Sequence, residues 1–107
     1  MPKRINIMST WKEFNPSARK SMKEDFDAYA SPFSNKLLAY LDKGEVILSS
    51  PGSAIDVFSG ERINQTNSIL TDGEYSWSSS LGYYIRKYNL HIPKEFEDKI
   101  LRAENKQ

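Results

Sequence analysis

Three consecutive serines, Ser78–Ser80, and a single histidine, His91, are the residues whose types could support nucleophilic chemistry. A serine nucleophile needs a base within hydrogen-bond reach, usually histidine, and His91 is the one available. No G-x-S-x-G elbow or S-x-x-K element surrounds the serines. Helix capping accounts for them as well and is the preferred reading. His91 stands between Leu90 and Ile92, just ahead of Pro93, on a short extended link that turns it outward. One histidine and no cysteine leave too few nitrogen or sulfur ligands for a zinc site, and the cysteine count also excludes disulfides and thiolate nucleophiles. No EF-hand loop, Walker A motif or dinucleotide glycine pattern occurs. The spacing of the carboxylates selects no acid–base pair. The sequence therefore supports no catalytic role, no cofactor and no metal. A small hydrolase using His91 with a nearby serine or carboxylate is the alternative.

Net charge is +1, but the charges are unevenly placed. Residues 1–24 hold six basic and two acidic side chains; residues 25–80 hold three basic and eight acidic; the remainder holds six basic and four acidic. An acidic middle can meet a basic partner surface and would repel nucleic acid. Solvated loops and helix faces would give the same pattern. An aromatic-plus-basic surface around Tyr83 and Arg86 could stack on single strands, but no basic stripe or aromatic strand signature supports nucleic-acid binding. The sequon at Asn64–Thr66 reads as a loop accident. No apolar run reaches the roughly 18 residues a membrane span requires, and no signal-peptide pattern is present, so a soluble cytoplasmic protein is expected.

The elements that must position these side chains follow from spacing and punctuation. With 107 residues the chain is expected to form a single domain, residues 1–107. Asn15-Pro16 reads as a helix start, with Met22, Phe26 and Tyr29 as its apolar stripe. Ile5, Met8 and Trp11 suggest a further helical turn. After Ser31-Pro32 a second helix is expected, capped by Ser34, stapled by Phe33 on Leu38, buried through Leu37, Leu38 and Leu41, and ended by Gly44. The period then becomes extended: "EVILSS" and "AIDVF" read as strands separated by "SPGS" turn chemistry, with a hairpin turn at Ser59-Gly60 and a polar loop "NQTN". Asp72-Gly73 predicts a two-residue type I′ hairpin in which Leu70 faces Tyr75. Leu70, Tyr75 and Trp77 then share one face. Ser78 is the expected cap of a helix whose buried face is Leu81, Tyr84, Ile85 and Tyr88, leaving Tyr83, Arg86 and Lys87 elsewhere. Pro93 opens a last helix with Phe96, Ile100 and Leu101 inward. The expected class is α+β: N-terminal helices, a short antiparallel β-meander and two C-terminal helices.

The segments "SPGSAIDVFSGERI", "SILTDGEYSW" and "LGYYIRKYNLHIPKEF" resemble small bacterial immunity proteins of polymorphic toxin systems, including contact-dependent growth inhibition. The resemblance covers Ser50 to about Ile100. Ser78 stands where that group has proline, and Tyr75 where it has tryptophan; the N-terminal part to about Lys43 carries none of the likeness. What the resemblance implies is a protein that binds a cognate toxin domain, often a nuclease, and neutralises it by stoichiometric complex formation. Chosen for expected exposure and charge, Asp56, Glu61, Asp72, Glu74 and Tyr83 are the partner-binding candidates. A self-associating structural module is a third possibility.

Overall fold

A computed structural model describes residues 5–104, with side chains other than those of 64–66 and 104. The order of elements is β1 (Ile5–Asn6), a 3-10 turn (Ile7–Thr10), a second 3-10 turn (Met22–Asp25), α1 (Ser34–Asp42), β2 (Glu45–Ile55), β3 (Arg62–Thr71), β4 (Tyr75–Ser78), α2 (Leu81–Tyr88) and α3 (Lys94–Glu104). This is an α+β arrangement. The sheet order is β1-β4-β3-β2, with β1 parallel to β4 and the other neighbours antiparallel. Among the described residues β2 is thus a free edge.

The expected helix after Pro16 does not form. Glu13 reaches across and accepts the Met22 amide at 2.7 Å and the Ser21 hydroxyl, while Ser21 and Glu24 make a reciprocal capping box. These bonds close a single 3-10 turn, which ends where the Phe26 amide bonds the Lys23 carbonyl. Met22 is buried, Phe26 is partly buried and Tyr29 is 80% exposed, so the apolar spacing served an irregular segment. Trp11, fully buried, fixes that segment by donating its indole N–H to Asp25 at 2.8 Å.

α1 begins at Ser34 without a side-chain cap, and it buries Leu37 and Leu41. Gly44 follows it for a reason other than helix termination: a Cβ there would stand 2.6 Å from Cζ2 of Trp77. "EVILSSPGSAI" is one strand, β2, whose register against β3 slips three times instead of reversing at Pro51-Gly52. The "NQTN" segment lies in β3, not in a loop.

The turn at Asp72 is longer than the two-residue form. Thr71 pairs with Ser76 and Leu70 with Trp77, leaving Asp72, Gly73 and Glu74 between the strands. Its shape comes from the Asp72 carboxylate, which accepts the amides of Glu74 and Tyr75, and from Gly73 at φ +102°. Moving the partner of Leu70 by two residues preserves the parity of the strand, so Leu70, Tyr75 and Trp77 still share a face. Trp77 packs on Phe96 with ring centroids 5.4 Å apart, and Tyr75 does so at 4.8 Å.

α2 starts at Leu81, three residues beyond the expected cap. Ser78 ends β4, and its hydroxyl bonds those of Ser80 and the Ser80 amide. The helix buries Leu81, Tyr84 and Ile85 as its spacing predicts but leaves Tyr88, expected on the same face, half-buried, and Asn89 ends it in the left-handed conformation at φ 54°. α3 buries Phe96 and Ile100. Among the described residues, no helix is long and apolar enough to cross a membrane.

Candidate functional site

The five residues proposed for partner contact fall into two groups at opposite ends of β3. Asp56, Glu61 and Tyr83 meet at the β2–β3 turn. Asp72 and Glu74 belong to the β3–β4 turn.

Asp56 is a correction to the expectation of exposure, for its side chain is wholly inaccessible. Oδ1 accepts the amides of Phe58 (2.8 Å) and Ser59 (3.1 Å), folding the turn back on itself. Oδ2 accepts the hydroxyls of Tyr88 (2.6 Å) and Tyr83 (2.7 Å), with Lys87 Nζ 3.5 Å away. Burial alone raises the pKa of this carboxyl. The hydrogen bonds from Tyr88, Tyr83 and the two amides outweigh it and hold the group well below the ordinary carboxylate range. The same bond holds the Tyr88 hydroxyl above its ordinary value, with burial adding to the effect. Tyr83, half-buried, is therefore spent on Asp56, and its oxygen also accepts from Lys87 at 3.0 Å. Of this group, Glu61 remains exposed.

Asp72 is likewise enclosed, with 10% of its side chain accessible. Its Oδ2 accepts Tyr40 Oη at 2.5 Å and Lys99 Nζ at 3.0 Å. Burial raises its pKa, but the bonds from Tyr40, the Tyr75 amide and Lys99 bring it below the ordinary value. Burial, reinforced by the Asp72 charge, pushes the Tyr40 hydroxyl up to about 12. Glu74 is open to solvent and pairs with Lys99 at 2.9 Å.

The charge blocks of the sequence are thus folded against one another. Lys20 pairs with Asp25, Lys87 with Asp56, and Lys99 with both Asp72 and Glu74, while His91 Nε2 lies 3.4 Å from Asp27. Lysines from the two basic ends thus pair with Asp25, Asp56, Asp72 and Glu74, while Asp42, Glu45 and Glu61 have no ion-pair partner among the described residues. His91 has Asp27 and the Tyr29 carbonyl as neighbours and lines neither cavity described below. Among the described residues, no group of three or more histidine or acidic side chains could hold a metal.

What sequence reasoning missed is concave. A cleft of about 300 Å³ lies between α1, β3–β4 and the start of α2. Leu38, Leu41, Leu70 and Trp77 give it an apolar lining, with Ser78, Ser79 and Gly82 alongside. Two exposed charged residues, Asp42 and Arg86, complete it, and neither has an ion-pair partner among the described residues. Gly82 contributes by lacking a side chain: a Cβ there would stand 3.3 Å from Leu38. The i, i+4 relation of Gly82 and Arg86 on one side of α2 was the available signal. A second cavity of about 280 Å³ is lined by Phe14, Ser53–Ile55, Asn67, Ser78 and Ser80. None of the five sequence candidates lines either one.

A recess of mixed polar and apolar surface, with Asp42 and Arg86 at its edge, suits a side chain from another protein that is apolar in its body and charged or polar at its tip. The chain matches no family model, no curated protein and no solved structure.

Proposed function

We propose that this chain is a cytoplasmic immunity protein that binds a cognate toxin domain, a nuclease being the favoured class, and neutralises it by one-to-one complex formation without catalysis. The observation that carries the binding surface is the cleft between α1 and α2. Its mixed lining, with Leu38, Leu70 and two serines beside Asp42 and Arg86, neither ion-paired among the described residues, offers both apolar contact and charge pairing to a partner side chain. The likeness of residues 50–100 to immunity proteins supplies the class of partner. The enclosed carboxylates support binding over chemistry, since Asp56 and Asp72 already have their acceptor capacity filled by protein donors. Glu61 and Glu74 are the acidic candidates still placed to touch a partner.

Co-expression with the toxin gene encoded beside it tests the reading. The expected result is restored growth and a one-to-one complex on gel filtration. Arg86→Glu should weaken that complex while leaving the thermal unfolding midpoint unchanged. Persistent toxicity with no complex would sink the function; a complex indifferent to Arg86→Glu would sink the cleft as its site.

A further inference from the structure

β2 is an edge strand in which every residue from Glu45 to Ser53 is exposed. Val46, Ile47 and Leu48 present 54%, 41% and 58% of their surface to solvent. Edge strands in soluble proteins are ordinarily blunted by charge, yet no charged residue occurs from Val46 to Ile55. An apolar, uncharged edge with unpaired backbone groups is a template for another strand.

We propose that this edge seats a second copy of the chain, with β2 against β2 in antiparallel pairing about a two-fold axis at Leu48. The charge pattern selects that occupant. A strand bearing charges would have to desolvate them against Val46, Ile47 and Leu48, whereas β2 itself is uncharged over the whole paired stretch. With the axis at Leu48, Val46 faces Ser50 of the other copy and Ile47 faces Ser49. Glu45 then falls opposite Pro51, so no like charges meet. Pro51, lacking an N–H, ends the ladder there. The opposite edge of the sheet, β1, is two residues long. The pairing therefore closes at two copies, an isologous contact that joins two four-stranded sheets into one of eight strands.

The test uses the purified full chain with no toxin present, so its result is separate from that of the co-expression experiment. Sedimentation velocity across a concentration series up to about 1 mM should show a monomer–dimer equilibrium. Leu48→Lys places two like charges at the axis and should weaken dimerisation by about a hundredfold, with far-UV circular dichroism and unfolding midpoint retained. Leu48→Glu should do the same alone. Mixing the Lys and Glu variants should restore a heterodimer, which a merely unfolded variant could not form. A wild-type chain that stays monomeric throughout, a Leu48→Lys chain that still dimerises, or a mixture without recovery would each overturn the proposal.

Discussion

The Tyr88 hydroxyl donates a 2.6 Å hydrogen bond to a fully buried Asp56 carboxylate 32 residues earlier in the chain. That bond, with its companion from Tyr83, fastens α2 to the β2–β3 turn. Replacing Asp56 with alanine would leave two tyrosine hydroxyls and two amides without their acceptor. Loss of about 3–5 kcal/mol of stability is expected, measured by urea denaturation. Tyr88→Phe removes one donor and keeps the stacking on Phe26 at 4.4 Å, so it should cost about 1.5–3 kcal/mol. An Asp56→Ala protein as stable as wild type would show that the turn closes without the carboxylate.

Stability should fall at both extremes of pH. Asp56 and Asp72 have pKa values below those of the unfolded chain, so their contribution is full above about pH 4 and is lost as pH falls further. On the alkaline side the sign reverses. Tyr40 is raised to about 12; burial lowers Lys99, but its bonds to Glu74 and Asp72 win and raise it, so both stabilise fully below about pH 10. The Tyr40 contribution is lost between about pH 10 and 12, and that of Lys99 as pH rises above the ordinary lysine value. Thermal midpoints read from pH 2 to 12 should trace a plateau with two shoulders, and Tyr40→Phe should flatten the alkaline one.

The two acids of the β3–β4 turn should behave differently. Asp72→Ala removes the acceptor for Tyr40, Lys99 and two loop amides, and should cost about 2–4 kcal/mol. Glu74→Ala removes an exposed partner of Lys99, which keeps Asp72, so less than about 1 kcal/mol is expected. Equal losses would mean that the Lys99–Glu74 pair, not the turn, holds α3 to the sheet.

The elements whose cause is local were legible in the sequence. Leu81, Tyr84 and Ile85 named the buried face of α2, and Asp72-Gly73 marked a reversal. Where distant groups decide the backbone, the sequence misled. Met22, Phe26 and Tyr29 have helical spacing, but Glu13 captures the Met22 amide and Asp25 is engaged by Trp11, so the segment follows those contacts instead. The same limit hid the roles of Asp56 and Asp72: a carboxylate in a turn reads as exposed until the tyrosines and lysines that reach it are placed. The cleft was invisible for a similar reason, since its lining comes from α1, β3, β4 and α2, and spacing within one element shows one wall of it.

Gly44 and Trp77 are a second long-range pair whose coupling can be measured. A methyl group at position 44 would lie 2.6 Å from the indole Cζ2 and 3.0 Å from Leu70 Cβ, so backbone or ring must move. Gly44→Ala should therefore destabilise by about 1–3 kcal/mol, against the gain an alanine ordinarily brings by limiting the unfolded chain. Trp77→Phe removes the atoms in collision but loses buried surface, and should be destabilising on its own. Together, the smaller ring should admit the methyl group. The double variant should then be more stable than the sum of the single losses by about 1 kcal/mol, read from a double-mutant cycle in urea. Strict additivity would place the strain of Gly44→Ala on Leu70 or the backbone instead of on the indole.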